Sequence, residues 1–219
     1  MDSQAFEYLQ TYLTERRKKL FTQVLAERTK HFTVVMEDVY QLHNTSAVMR
    51  SCDVFGIQEL HVVEERLGKR VDREIAMGAQ KWIDLQRYED VASCMGSLKD
   101  EGYQIIATTP HHNGQTLSEF DITKKSALFF GTEKKGVSAE VLEAADGYLK
   151  IPMYGFTESL NISVSAAIIL QDLVSRLKRS SVSWQLSEAE KRTIEIAWTL
   201  RCIKSSDKIL ARYSEGKMS

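Results

Sequence analysis

The chain has 219 residues, 43% hydrophobic and 27% charged, with 29 Lys/Arg against 30 Asp/Glu and a formal net charge of −1. That balance describes an ordinary globular chain of one or at most two domains and excludes disordered, collagen-like and disulfide-scaffold proteins. A chain of this length buries roughly 70% of its unfolded surface, so it folds without a metal or disulfide staple. The three cysteines, Cys52, Cys94 and Cys202, are widely spaced and suit a reducing compartment rather than a metal site. No apolar signal core precedes the first elements and no run approaches about 18 uninterrupted apolar residues, so the reading is a soluble, cytoplasmic protein with no membrane partner.

In chain order, Asp2 to Lys30 reads as helix without strand signals. Apolar runs rich in β-branched and aromatic residues then recur at Phe32 to Met36, Leu60 to Val63, Tyr103 to Thr108, Ala127 to Phe130 and Tyr148 to Met153. Helical patterns lie between them: Asp90 to Glu101, with Val91, Met95 and Leu98 at helical spacing; Ala139 to Ala145, opened by Ser138; and Leu160 to Leu177, opened by Ser159. Short apolar strands alternating with helices predict an α/β fold, a mostly parallel sheet covered by helices on both faces. Ser187 to Arg212 reads as a further helix. The predicted organisation is an N-terminal helical extension over residues 1–30, a central domain over 31–178 and a C-terminal helical extension over 179–219.

Charge follows the same division. Residues 1–31 hold six Lys/Arg and four Asp/Glu, and residues 175–219 hold ten and five, so both ends are basic around an acidic body. Such ends can grip a polyanion without a high overall pI, although solvated faces of terminal helices would look the same.

Three segments carry candidate chemistry. The first, Asn44-Thr-Ser-Ala-Val-Met-Arg50, follows the first strand; Asn44 suits a helix N-cap, and Arg50 lies about 9 Å further along the axis with a side chain that leans back towards the strand end. The second, Gly131-Thr-Glu-Lys-Lys-Gly136-Val137-Ser138, has P-loop glycine spacing, but Val137 stands where the phosphate-binding lysine belongs and Glu133 would repel phosphate. It reads either as a ligand loop at a strand end or as a simple turn into a helix. No G-x-G-x-x-G loop is present, so a dinucleotide site is not predicted. The third runs from Ile151-Pro152-Met153 through Gly155 to Ser159-Leu160-Asn161-Ile162-Ser163, a strand end and loop leading into a helix start rich in hydroxyls and amides. These small and polar residues suit a binding corner or close helix packing equally well.

Together and in this order, Asn44…Arg50, Phe130-Gly131-x-Glu133-x-x-Gly136 and Ile151-Pro152…Ser159-Leu160-Asn161-Ile162-Ser163 resemble the three motifs of the SPOUT-class RNA ribose 2′-O-methyltransferases, specifically the TrmH-type tRNA enzymes. The resemblance runs from about Arg16 to Lys178. It implies an S-adenosylmethionine-dependent homodimer, a deep C-terminal trefoil knot and no catalytic metal. It assigns Arg50, Asn44, Glu133, Ser159 and Asn161 to catalysis, and Thr108, Gly131, Glu133, Ile151, Met153, Ser159 and Leu160 to the cofactor. Arg16, Arg17, Lys18, Arg28, His43 and Arg176 are expected to contact tRNA. The basic terminal segments resemble those of the enzymes that methylate the D-loop guanosine at tRNA position eighteen. Two departures bear on target choice: Gln41-Leu42 before His43-Asn44, and Phe156-Thr157-Glu158 before Ser159. The competing readings are methylation of another tRNA or rRNA nucleotide, a knotted RNA-binding protein without methyl transfer, and an NTP-dependent enzyme using Gly131 to Gly136.

Overall fold

A computed structural model of the chain describes residues 1–37, 42–64, 76–110, 114–132 and 135–217. Gln41 and Glu133, both singled out from the sequence, lie outside the described residues. The contacts divide the chain into two units, one formed by Thr29–Trp184 and the other by Met1–Arg28 together with Gln185–Ser219.

The Thr29–Trp184 unit is built on β1 (Phe32–Glu37), β2 (Glu59–Val63), β3 (Asp84–Tyr88), β4 (Gln104–Thr108), β5 (Gln115–Thr116), β6 (Ser126–Phe130) and β7 (Gly147–Lys150). They form one sheet in the order β3-β2-β1-β6-β4-β7-β5. Every described pair is parallel, with Val34 opposite both Leu60 and Leu128 at the centre. Strands buried on both faces explain the unbroken apolar runs in the sequence. One face packs against α3 (Leu42–Phe55) and α6 (Ile162–Lys178), around Val34, Met36, Leu128, Leu170 and Leu173; the other packs against α4 (Val91–Asp100) and α5 (Ala139–Ala144), around Val35, Leu98, Phe129 and Val141. The α/β architecture with helices on both faces therefore follows the sequence expectation.

Four local features differ from that expectation. The strand β3, Asp-Leu-Gln-Arg-Tyr, has no apolar run because it is a half-buried edge strand, where charge discourages further pairing. The last sheet strand ends at Lys150 rather than Met153, since Pro152 has no N–H to donate. The long helix opens at Ile162 with Asn161 as its cap, not Ser159. Asn44, expected as a cap, lies inside the first turn of α3, which already begins at Leu42.

In the other unit, α1 (Ser3–Gln10) and α2 (Glu15–Ala26) replace one predicted helix, because Thr14 breaks the run by capping α2. Likewise α7 (Glu188–Cys202) and α8 (Ser206–Lys217) are separated by extended Ile203 and by Ser205 at φ 59°. Ser187 and Glu190 close a reciprocal capping box on α7. Phe6, Leu9, Phe21, Leu25, Ile194 and Trp198 form the buried interior of this unit, with Phe21 edge-on to Trp198 at 5.4 Å.

Candidate active site

Parallel strands deliver their carboxyl ends to one edge of the sheet, where open α/β folds bind ligands. A cavity of about 370 Å³ lies there, beyond the ends of β4, β6 and β7. The described residues expected at the cofactor, Thr108, Gly131, Ile151, Met153, Ser159 and Leu160, all line it. Phe130, Val137, Leu149 and Ile162 add apolar wall; Lys135, Lys150 and Glu158 add charge. Thr109, Pro110, Lys150 and Ser165 were not foreseen as lining residues. Thr109, Pro110 and Lys150 arrive because β7 pairs with β4, a neighbour relationship that apolar periodicity does not encode, and Ser165 arrives on the first turn of α6.

The loop after β6 is shaped by backbone. Thr132 and Gly136 exchange two N–H to carbonyl bonds of 2.9 Å, which hold the two residues side by side. A Cβ on Gly131 would lie 2.0 Å from the Gly136 carbonyl carbon, so only glycine fits there. Gly136 adopts φ +69°, the left-handed region. Val137 is buried among the residues of the second core face and at the same time closes one apolar side of the cavity. Ser138 caps α5, and its backbone N–H donates to the Glu37 carboxylate at 2.9 Å, tying this loop to the end of β1. Thr108 spends its hydroxyl on the Phe129 carbonyl at 2.7 Å, joining β4 to β6 beneath the cavity.

Two catalytic candidates meet directly. Asn161 Oδ1 accepts from the Ser163 N–H at 2.9 Å and from its hydroxyl at 2.6 Å, and Asn161 Nδ2 donates to Asn44 Oδ1 at 3.1 Å. Arg50 and His43 are exposed on α3 and do not line the cavity. Glu133 lies outside the described residues. Cys94 is no nucleophile, because burial, with the nearby Asp90 and Glu37 charges, pushes its thiol up to about 12. Among the described residues no group of His, Cys, Asp and Glu is arranged to hold a metal. No helix among them is long and apolar enough to cross a membrane.

The expected RNA contacts separate into two classes. Arg16 is exposed on α2 and Lys18 is ion-paired to Glu15 at 2.8 Å; Arg17 is partly exposed on the same helix. Arg28 and Arg176 need correction. Arg28 is 1% exposed, with its guanidinium 5.5 Å from the Trp198 ring centroid, and is a packing residue. Arg176 donates to the carbonyls of Leu117 and Phe120 and pairs with Asp172 at 3.6 Å, so its guanidinium pins the segment after β5 instead of waiting for phosphate.

Residues 31–171 match the family described as the SpoU rRNA Methylase family. A tRNA (guanosine(18)-2′-O)-methyltransferase of Borreliella burgdorferi is 39% identical over 197 residues, 90% of each chain. The protein of the same name from Thermus thermophilus is 41% identical over 157 residues, covering 72% of this chain and 81% of that one. Among solved structures, the A. aeolicus TrmH/SpoU tRNA modifying enzyme superposes with a TM-score of 0.79 at 33% identity, covering 87% of this chain and 98% of that chain.

Proposed function

The chain belongs to the SpoU rRNA methylase family, and from that premise we propose that it methylates the ribose 2′-oxygen of guanosine 18 in cytoplasmic tRNA, using S-adenosylmethionine. The observation that carries this reading is the convergence of Thr108, Gly131, Ile151, Met153, Ser159 and Leu160 on one cavity at the strand ends. The lining fits the cofactor: apolar side chains for an adenine face, loop backbone for its polar edge, and at Gly131 a wall that any Cβ would fill. S-adenosylmethionine supplies the methyl group as a sulfonium electrophile.

The chain's own residues must align a weakly nucleophilic hydroxyl and manage its proton. A guanidinium is a poor base but a good hydrogen-bond donor, so Arg50 acts by stabilising the developing 2′-oxyanion rather than by removing the proton, which passes to water or phosphate. The Asn44–Asn161 bond fixes the start of α6 against the helix that carries Arg50. Ser159, at the cavity and two residues before that cap, offers a hydroxyl to the bound ribose or methionine portion.

The active form we infer is a homodimer. Val164 and Ile168 on α6, with Leu160 just ahead of its cap, recur every fourth residue and stay exposed, forming an apolar stripe that a second copy would cover. Leu160 belongs to both the stripe and the cavity, so covering the stripe would complete the site.

The test is methyl incorporation into unmodified tRNA transcripts followed by mapping of the modified nucleotide. Modification confined to guanosine 18, lost when that base is changed, supports the reading. Modification elsewhere, or tRNA binding with no methyl transfer, overturns it. Light scattering of the same preparation reports the dimer.

A further inference from the structure

The terminal unit, Met1–Arg28 with Gln185–Ser219, holds twelve Lys/Arg and nine Asp/Glu, so it is the basic part of an acidic chain. Its surface carries an arrangement that neither the cavity nor the core of that unit uses. Tyr8 of α1 stacks on Tyr213 of α8, with ring centroids 4.6 Å apart and planes 21° from parallel. Tyr12, just beyond α1, meets Tyr8 edge-on at 5.5 Å, and the two hydroxyls are hydrogen-bonded at 2.9 Å. Tyr12 is nonetheless 50% exposed. Arg212, next to Tyr213 on α8, lies close enough for its charge to act on the Tyr12 hydroxyl.

Four residues after Tyr12 begins a groove of about 420 Å³ lined by Arg16, Lys19, Leu20 and Gln23, which recur on one face of α2. Tyr12 is thus half open to water yet held by Tyr8, which is itself backed by Tyr213, with the Arg212 charge nearby. An aromatic face beside a cationic groove is the pairing that single-stranded nucleic acid recognises, the ring stacking a base and the groove following the backbone. Because Tyr8, stacked on Tyr213, already holds Tyr12 by an edge contact and a hydroxyl bond, an incoming base need not immobilise it.

We propose that Tyr12 is a stacking platform for an unpaired nucleobase of the tRNA substrate, with Arg16 and Lys19 holding the adjoining phosphates. This rests on the tRNA reading above and deepens it by naming the base contact that the terminal unit makes. A protein partner is the less suited occupant, because protein-binding aromatic anchors sit in patches depleted of charge.

The two kinds of contact differ in salt dependence. Stacking releases no counterions, whereas each phosphate contact does. The experiment uses the full chain and one unmodified tRNA transcript, measuring equilibrium affinity and the KM for tRNA at several salt concentrations. Tyr12→Ala is expected to weaken affinity and raise KM about tenfold, with a wild-type slope of log affinity against log salt and an unchanged melting temperature. Tyr12→Phe keeps the ring and should restore affinity. Arg16→Gln should lower the slope. Wild-type affinity in Tyr12→Ala overturns the platform and leaves the ring to a protein contact. A slope lowered as in Arg16→Gln also overturns it, since Tyr12 would then act only by positioning cations. If the wild-type protein transfers no methyl group, the tRNA-methylation reading fails, and the affinity series still decides the platform.

Discussion

Asn161 at the head of α6 and Asn44 in the first turn of α3 are joined by one amide hydrogen bond of 3.1 Å across 117 residues of sequence. Asn161 thereby does two things, capping its own helix through Oδ1 and holding α3 through Nδ2. Substitution can separate them. Asn161→Ala should cost about 1 kcal/mol of stability, the usual loss for an N-cap, and should reduce methyl transfer. Asn161→Ser restores a good cap but is too short to reach Asn44, so melting should recover while activity stays at least about tenfold down. Full activity in the serine variant would show that the link between the helices is only structural.

The cap also marks a limit on what the residues alone disclose. Ser159 and Asn161 are both good N-cap types, and choosing between them depends on whether Leu160 and Ile162 face the core. Ile162 is buried and Leu160 is not, because α6 must turn its apolar face towards Val34 and Leu128. Asn44 was misplaced for a related reason: α3 starts two residues earlier, at Leu42, which no capping residue announces. Central strands were legible because burial on both faces leaves continuous apolar runs. The edge strand Asp84–Tyr88 was not, since half-burial permits three polar residues in five. Strand order depends on long-range packing, so Thr109 and Lys150 had no local signal as cavity residues. The expectation of a knot rests on the resemblance alone, since periodicity does not say which segment threads which loop.

Arg50 tests the division between chemistry and cofactor binding. It is exposed on α3 and absent from the cavity lining, so Arg50→Ala should leave S-adenosylmethionine affinity and melting unchanged. Its loss of an oxyanion contact should lower kcat about 100-fold. Calorimetry with the cofactor, alongside turnover at saturating tRNA, checks both parts. Near-normal kcat would remove Arg50 from the reaction.

Gly131 and Gly136 should respond differently to alanine. At Gly131 the added carbon would meet Gly136 backbone at 2.0 Å, and that backbone cannot step aside without breaking the paired Thr132–Gly136 bonds. Gly131→Ala should therefore weaken S-adenosylmethionine binding at least about tenfold, going by the 10²-fold effects that follow displacements near 1 Å. At Gly136 there is open space, and the variant bears mainly the left-handed backbone cost of about 1–2 kcal/mol. Equal cofactor affinities in the two variants would contradict this shape argument.

His61 should make the fold acid-sensitive. It is 1% exposed, neither ring nitrogen has a hydrogen-bond partner, and its ring stacks near Tyr88. Burial lowers its pKa from 6.5 to about 4, outweighing the opposing pull of the Glu59 carboxylate. Above 6.5 the imidazole is neutral in both folded and unfolded chains and the shift has no effect on stability. As pH falls below that value the unfolded chain binds a proton that the folded one refuses, so stability drops until about pH 4 and then levels. The contribution is about 3 kcal/mol over that window. Urea unfolding of wild type and His61→Leu across that window should show the wild type losing about 3 kcal/mol relative to the variant as pH falls from 6.5 to about 4. A constant separation would mean that His61 titrates normally.

The charge split between the ends and the body makes the last prediction, sharpened by where individual cations lie. Arg16 and Lys19 are exposed along one groove of α2, whereas Lys18 is already paired with Glu15, Arg28 packs on Trp198 and Arg176 holds carbonyls after β5. A cation satisfied inside the fold releases no counterion when tRNA binds. Each lost phosphate contact reduces the steepness of log affinity against log salt by roughly 0.7 to 0.9. Replacing Arg16 and Lys19 with glutamine should therefore reduce the slope by about 1.5, with S-adenosylmethionine affinity unchanged. Arg28→Met and Arg176→Met should lower the melting temperature and leave the slope as it was. Affinities measured for all four substitutions over a salt series distinguish the groups, and a slope unmoved by the Arg16 and Lys19 changes would place the tRNA backbone elsewhere.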